Sequence, residues 1–312
     1  MKISIIIPTR NRARYLEKML DSLLNQTISK EEFEVIVVDN GSTDVTRAVC
    51  FDKKKYFPHF KYVYEKSKGL HAGRNRGFWE SKSEYLLFAD DDIIGFPTWI
   101  EGIMEGFGYE NVGLVGGNVI PKFETTEPEW FQEFVVYKNG FRIMSQLSVI
   151  WTSSQENKII NPYYVFGCNF GVKRELLEKC GGFHPDGMPN NLLMYRGDGE
   201  SYVSQYIREN GGRAIFVPKA SVYHIMPYER TLLSYLIKRG KCDGISEMYS
   251  KLRKESINGG IQCLEQAIKV VRDVKGYKKI YYRAVMKGKA YLFFYYSIYP
   301  QIREWISKDN YL

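Results

Sequence analysis

The chain has 312 residues, of which 44% are hydrophobic, and its 44 Lys and Arg against 36 Asp and Glu give a formal net charge of +8. This composition is typical of a soluble globular protein of one large or two modest domains and excludes a disordered chain. The five cysteines are scattered and form no Cys-x-x-Cys pair, which excludes a disulfide scaffold and a zinc knuckle and favours a cytoplasmic protein.

The first hundred residues alternate buried strand patterns with amphipathic helix patterns. The apolar runs predict strands over residues 3–7, 35–38, 61–64 and 85–89, and the helical periodicity predicts helices over residues 12–24, 43–52, 73–81 and 98–107, the second of them capped by Ser42 or Thr43. Fully apolar strands that alternate with helices indicate an α/β fold with a mostly parallel, Rossmann-like sheet and helices on both faces. Ligands of such sheets bind beyond the carboxyl ends of the strands.

Three aspartates, Asp90, Asp91 and Asp92, directly follow the fourth predicted strand. Adjacent carboxylates repel one another, so their clustering indicates a bound cation or a strong set of donors. Alternate residues of an extended segment point to the same side, so Asp90 and Asp92 can converge while Asp91 turns away. Mg²⁺ and Mn²⁺ bind such carboxylates together with phosphate oxygens. The alternative is a solvated turn that caps the next helix.

Helical patterns continue from Arg230, and they predict a C-terminal helical extension over residues 231–312. This segment holds 16 Lys and Arg against 7 Asp and Glu, a net charge of +9, which leaves −1 for residues 1–230. Its basic residues alternate with aromatic ones, a combination that suits the headgroup layer of an anionic membrane. The alternative is a helical hairpin that packs on the preceding domain. No apolar run is long enough for a signal peptide or a membrane span, so we expect a cytoplasmic protein, peripheral at most to the membrane.

Four ordered motifs carry a family resemblance. They are Ile5-Ile-Ile-Pro-Thr-Arg-Asn11, Val37-Val-Asp-Asn-Gly-Ser-Thr-Asp44, Gly69-Leu-His-Ala-Gly-Arg-Asn-Arg-Gly77 and Leu87-Phe-Ala-Asp-Asp-Asp92. The series resembles the signatures of family-2 glycosyltransferases with the GT-A fold, and later motifs around Gly167, Gly181, Gly197 and His224 extend the likeness over residues 1–230.

The resemblance implies inverting transfer of a sugar from a nucleotide-sugar, with a UDP-sugar expected, to a hydroxyl of a saccharide or lipid-linked saccharide, in surface polysaccharide or glycoconjugate assembly. It implies a Mn²⁺ or Mg²⁺ cofactor on the diphosphate. Residues 1–110 would form the nucleotide-binding half of the catalytic domain and residues 111–230 its acceptor-binding half. The Gln-x-x-Arg-Trp motif of processive synthases is absent from the sequence, so we expect one sugar to be added at a time.

The resemblance also assigns roles to single residues. Asp39 would accept from the uracil N3–H, Asp90 would contact the ribose, and Asp92 would bind the metal with His224 beside it. The residues expected to bind the donor are Pro8, Thr9, Arg10, Asp39, Arg74, Asp90 and Asp91.

The base that deprotonates the acceptor is expected to be Asp198, which precedes a predicted helix over residues 199–209. The family usually has Glu-Asp here, whereas this chain has Gly197-Asp198, so Glu200 is the alternative base. The aromatic residues that could stack on an acceptor sugar or belong to the core are Trp130, Trp151, Tyr163 and Tyr164.

Two other functions remain open from the sequence. A sugar nucleotidyltransferase also uses clustered aspartates, but it would need a Gly-rich loop near the N-terminus that Pro8-Thr-Arg-Asn-Arg12 does not provide. A nucleic-acid-binding protein would use the basic tail but would leave the aspartates unexplained. We therefore expect no nucleic-acid partner.

Overall fold

Two long apolar runs of the sequence form the first two strands of the structure. The structure is a computed structural model that describes residues 1–312. The strands are β1 Ile3–Thr9, β2 Phe33–Asp39, β3 Phe60–Tyr64, β4 Tyr85–Ala89, β5 Ile93–Gly95, β6 Val112–Gly116, β7 Val119–Phe123, β8 Val136–Lys138, β9 Phe141–Met144, β10 Val149–Trp151, β11 Lys158–Ile160, β12 Asn169–Lys173, β13 Arg213–Phe216 and β14 Val222–Met226. The helices are α1 Ala13–Leu24, α2 Thr46–Lys54, α3 Leu70–Glu80, α4 Trp99–Phe107, α5 Phe131–Phe134, α6 Arg174–Lys179, α7 Glu200–Glu209, α8 Tyr228–Thr231, α9 Leu233–Asp273, α10 Gly276–Ile298 and α11 Pro300–Ser307.

The larger sheet has eight strands in the order β11-β13-β6-β12-β4-β1-β2-β3. The pairs formed by β1 with β2 and β4, by β2 with β3, and by β6 with β13 are parallel. Strand β12 runs antiparallel to both β4 and β6, and β11 runs antiparallel to β13. The half that contains the first four strands is therefore the parallel sheet that the sequence predicts, and the other half is mixed.

Helices cover both faces of this sheet, as the apolar strands predict. Alternate residues of β1 point to opposite faces, so Ile5 packs in one core with α1 and α4, whereas Ile6 packs in a second core with α3 and α7. Because both faces are covered, β1 and β2 are buried along their whole length.

The predicted helix after β2 begins later than expected. Neither Ser42 nor Thr43 caps it, since α2 starts at Thr46 and the N–H of Thr46 donates to the carboxylate of Asp44 at 3.0 Å. Asp44 also accepts from the N–H of Ala13 at 3.2 Å. One carboxylate thus ties the starts of α1 and α2 together, which explains the later start.

A second sheet of six strands, in the order β5-β14-β7-β10-β9-β8, was not expected from the sequence. Strands β13 and β14 are separated by only five residues, but β13 belongs to the larger sheet and β14 to the smaller one. The N–H of Val222 donates to the carbonyl of Asn118 at 2.8 Å, and this bond aligns β14 with β7 instead of continuing β13.

The C-terminal extension is helical, as predicted. Helix α9 is kinked at Ser256, where φ is 53° and ψ is −148°. It packs along α10 through glycines that let the two backbones approach closely, since a Cβ on Gly244 would lie only 2.0 Å from the carbonyl oxygen of Val285. None of the helices contains an apolar stretch of the length that a bilayer crossing requires.

Candidate functional site

A cleft of about 240 Å³ opens at the carboxyl ends of β1, β2 and β4. These strands are neighbours in the sheet, so the residues that follow them meet at one edge. The predicted residues that line this cleft are Pro8, Thr9, Arg10, Asp90, Asp91 and Asp92. The structure therefore brings together most of the residues expected to bind the donor and the expected metal ligand.

The three aspartates differ in their partners and in their exposure. Asp90 accepts from Arg74 Nη2 at 2.9 Å, and Asp91 accepts from the hydroxyl of Thr9 at 2.7 Å. Asp92 is fully buried. Asp90 is the most exposed of the three, so it is the carboxylate that a ligand in the cleft reaches most easily.

His224 lies beside Asp92 because of strand register. Asp92 directly precedes β5, and β5 pairs with β14 so that Ile93 lies opposite His224. The N–H of Ile225 donates to the carbonyl of Asp92 at 2.8 Å, and His224 Nε2 lies 3.3 Å from Asp92 Oδ1. His224 is the third residue of β14.

Arginine side chains balance the negative charge of the cleft. Asp92 accepts from Arg12 Nη2 at 2.6 Å, and Arg230 donates through Nη2 to Asp92 Oδ2 and through Nη1 to His224 Nε2, each at 2.7 Å. Although burial alone would raise the pKa of Asp92, the charge of Arg230 holds that pKa well below its usual range. Burial raises the pKa of Asp91 against the opposing charge of Arg12.

The donor atoms at this edge fit a divalent cation. One ligand atom from each of Asp90, Asp92 and His224 lies within 4.8 Å of the other two, and carboxylate oxygens with one imidazole nitrogen suit Mn²⁺ or Mg²⁺. Asp92 Oδ1 is buried and accepts no hydrogen bond, so it keeps lone pairs that a cation could use.

Two residues expected to bind the donor lie beneath the cleft and do not line it. Both carboxylate oxygens of Asp39 have protein partners, since Oδ1 accepts from the N–H of Ser42 and Oδ2 from the hydroxyl of Tyr62, each at 2.7 Å. Arg74 is almost fully buried, and it also donates to the carbonyl of Gly167 at 2.8 Å. Their contacts with a base or a diphosphate stay predictions, and the contacts seen here hold the walls of the cleft.

The two carboxylates considered as the base lie in different surroundings. Asp198 is buried away from the cleft, where Oδ1 bonds to His184 Nδ1 at 2.8 Å and Oδ2 accepts from the hydroxyl of Ser250 at 2.6 Å. Glu200 accepts from Arg74 Nη1 at 3.4 Å. The structure thus brings Glu200, the alternative base, to the other site residues and leaves Asp198 apart from them.

Glu200 belongs to a second cluster that the sequence analysis missed. His71 Nε2 lies 3.2 Å from Glu200 and 3.7 Å from Asp186, and its ring is fully buried against Phe183. Burial alone would raise the pKa of Glu200, but His71 and Arg74 lower it to about 2. The sequence signal for this cluster was the spacing of His71 and Arg74 in the third motif. This spacing places the two side chains one helical turn apart on the same face of α3.

The aromatic residues considered as an acceptor platform mostly belong to the core. Trp130 is buried, and its ring N–H donates to the carbonyl of Thr231 at 2.9 Å. Trp151 and Tyr164 are partly buried and pack against the main core. Tyr163 packs under a guanidinium group, with 5.0 Å from the ring centre to Cζ of Arg208. Of the two alternatives, the structure favours the core.

Arg12 and Arg230 line the cleft but were not predicted from the sequence. Arg12 directly follows the first motif, two residues beyond the predicted Arg10, and three adjacent carboxylates already required nearby positive charge. Arg230 lies 138 residues from Asp92 along the chain, and no local pattern marks it. Only the pairing of β5 with β14 brings it to the cleft.

The sequence matches a model of glycosyl transferase family 2 over residues 4–181. Glycosyltransferase AglE of Haloferax volcanii is 29% identical over 192 residues, which cover 61% of this chain and 57% of AglE. Poly(ribitol-phosphate) beta-glucosyltransferase of Bacillus spizizenii is 33% identical over 178 residues, which cover 53% of this chain and 27% of that protein. The chain thus matches less than two thirds of the length of either relative.

Two solved structures share the fold at low sequence identity. A mannosyltransferase from Pyrobaculum calidifontis, in complex with GDP-Man and Mn²⁺, has a TM-score of 0.57 at 17% identity, and the match covers 98% of this chain and 84% of that one. Residues 1-349 of TarS from S. aureus, in complex with UDP-GlcNAc, have a TM-score of 0.55 at 16% identity, with 92% and 90% covered.

Proposed function

We propose that this chain, which belongs to glycosyl transferase family 2, transfers a sugar from a nucleotide-sugar to a hydroxyl group of a saccharide or lipid-linked saccharide. The chain has the GT-A fold that its motifs predict. The observation that carries the proposal is the cleft itself, where Asp90, Asp92 and His224 offer ligand atoms to a cation next to Arg12 and Arg230. This arrangement suits a nucleoside diphosphate bound together with a divalent metal.

Charge complementarity supports a diphosphate as the bound group. Arg10, Arg12 and Arg230 line the cleft, and guanidinium groups bind phosphate oxygens with paired N–H donors. The two carboxylates and the imidazole would hold the cation, Mn²⁺ or Mg²⁺. When bound, the metal would offset the negative charge that develops on the leaving nucleoside diphosphate.

Glu200 is the proposed base for the acceptor hydroxyl. Its side chain is partly exposed, with 26% relative exposure, and it shares Arg74 with Asp90, which lines the cleft. As the acceptor oxygen forms its bond to the anomeric carbon, the bond from that carbon to the diphosphate breaks, and the acceptor proton passes to Glu200. Attack opposite to the leaving group inverts the anomeric configuration.

A UDP-sugar is the proposed donor, and a GDP-sugar is the alternative to be tested beside it. The purified protein is incubated with a panel of UDP-sugars and GDP-sugars, with Mn²⁺ or with EDTA, and released nucleoside diphosphate and the midpoint of thermal unfolding are measured. We expect one donor to raise the midpoint and to be slowly hydrolysed only with Mn²⁺, since a ligand that binds the folded state stabilises it.

The variant Asp90→Asn should reduce both responses, because it removes a carboxylate from the cation site. Asp52→Asn is the matched control, since Asp52 is exposed on α2 and pairs only with Lys55. The proposal is wrong if no donor of either class gives a Mn²⁺-dependent response in the wild-type protein.

A further inference from the structure

Arg230 contacts two of the residues that a metal at this site would use. It donates to Asp92 Oδ2 and to His224 Nε2, each at 2.7 Å. Two of the three residues that could hold a cation, Asp92 and His224, are therefore bridged by one guanidinium group.

Arg230 and a metal cannot both bind His224 Nε2 at the same time. A guanidinium group has only donors, so His224 Nε2 must accept, and its single lone pair points to Arg230. A metal at Nε2 would need that same lone pair. A divalent cation would also repel the charge of Arg230 at this distance. Arg230 therefore has to leave Nε2 before a metal can bind there.

New partners for Arg230 lie within the cleft, and no buried side chain holds the helix that carries it. Arg230 lines the cleft beside Arg10 and Arg12, where a bound diphosphate would offer it phosphate oxygens. It lies on the short helix α8, which contains no buried residue. Asp92 keeps its bond to Arg12 when Arg230 leaves, so the buried carboxylate would not lose all of its donors.

We propose that Arg230 is a positioning residue that exchanges with the divalent metal. Without metal it holds Asp92 and His224, and when metal and nucleoside diphosphate bind together it releases both side chains and pairs with the phosphates. This inference rests on the proposed function of the cleft. It implies that Mn²⁺ and nucleotide bind cooperatively, because the nucleotide supplies the new partner of Arg230 and the metal removes the old one.

The test measures Mn²⁺ binding by electron paramagnetic resonance, without and with UDP, in wild type and in Arg230→Met. For wild type we expect weak binding of Mn²⁺ alone and at least about fivefold tighter binding with UDP. Arg230→Met should bind Mn²⁺ alone at least about fivefold more tightly than wild type, and UDP should add less. GDP replaces UDP in a parallel series.

Arg76→Met is the matched control, because Arg76 is exposed on α3, outside the cleft, and pairs only with Glu80. Its affinity for Mn²⁺ alone should equal that of wild type. The exchange is refuted if Arg230→Met binds Mn²⁺ alone no more tightly than wild type, or if UDP still strengthens its Mn²⁺ binding to the full wild-type extent.

The thermal unfolding midpoint shows whether each variant is folded, and Arg230→Lys is used if the Met variant is not. A single ammonium group has no fork with which to bridge Asp92 and His224, so Arg230→Lys should also bind Mn²⁺ more tightly than wild type. Failure of the proposed function is distinguishable, because tighter Mn²⁺ binding in the variant supports the exchange even if no sugar is transferred.

Discussion

Asp198 and Glu200 are separated by one residue and point in different directions. Gly199 between them has a φ of +54°, a conformation that favours glycine. A Cβ there would lie 2.4 Å from His71 Nε2, so the close approach of the histidine also requires glycine. This turn sends Asp198 towards Ser250 of the C-terminal extension and Glu200 towards Arg74.

The first prediction compares the two carboxylates. Glu200→Gln should lower kcat by about 10² to 10⁴-fold with donor affinity nearly unchanged, because the amide cannot take the acceptor proton. Asp198→Asn should leave kcat of the folded protein close to that of wild type. It should lower the free energy of unfolding by about 1 to 3 kcal/mol, because it weakens charge-assisted hydrogen bonds to His184 and Ser250.

Steady-state kinetics, donor binding and chemical denaturation of both variants separate these outcomes. If the Glu200→Gln variant is active and the Asp198→Asn variant is stable but inactive, Asp198 and not Glu200 is the base. Each variant serves as the control for the other, since both exchange a carboxylate for an amide near the start of α7.

At the level of elements, α3 places the site because glycine lets it approach the sheet. A Cβ on Gly77 would lie 2.2 Å from Cγ2 of Ile6 in β1. Three residues earlier on the same helix, Arg74 reaches Asp90 and Glu200. The distance between α3 and the sheet therefore sets the position of the guanidinium that joins the two carboxylates.

The second prediction is that Gly77→Ala destabilises the protein and weakens donor binding. The added methyl group should cost about 1 to 3 kcal/mol through overpacking, which exceeds the gain of roughly 1 kcal/mol in helix propensity. Calorimetry and Mn²⁺-dependent UDP binding measure the two effects. Arg76→Ala is the matched control on the same helix, since Arg76 is exposed and pairs only with Glu80. A Gly77→Ala protein with wild-type stability and UDP affinity would contradict this account.

At the level of the whole molecule, the C-terminal extension packs on the body of the protein. Tyr281 and Val285 of α10 belong to the main core, and the N–H of Tyr311 donates to the carbonyl of Gly181 at 2.8 Å. Deleting residues 277–312 would open this core, so such a deletion cannot separate membrane binding from folding.

The exposed basic residues of the extension still allow the expected membrane contact to be tested. Lys278, Arg283 and Lys287 are exposed on α10, and each basic residue near an anionic surface contributes about 1 kcal/mol to binding. The third prediction is therefore that exchanging all three for Gln weakens binding to anionic liposomes by about 10²-fold, without lowering the unfolding midpoint.

Liposome sedimentation at low and high salt measures this effect, and added salt should weaken wild-type binding. The control exchanges three exposed lysines of the body, Lys55, Lys82 and Lys179, for Gln. Equal losses in the two triple variants would show a general effect of charge. A wild-type protein that ignores anionic liposomes at low salt would rule out the membrane contact.

The parallel half of the larger sheet, the helices on its faces and the edge where the cleft opens were all predictable from the amino-acid sequence. These features follow from local periodicity, since apolar runs and helical spacing report burial, and the residue after each strand is read directly from the chain. The position of Asp90 and Asp92 at the end of β4 was therefore predictable.

Only the tertiary structure decided what those residues contact. Strand register between β5 and β14 brings His224 and Arg230 to Asp92, and no local pattern encodes pairing between segments so far apart in the chain. The conformation of Gly199 directs Glu200 to Arg74 and Asp198 to the C-terminal extension. The packing of α9 and α10 makes the basic extension part of the core. This could not be predicted from the sequence, because helical periodicity shows that a face is buried but not what buries it.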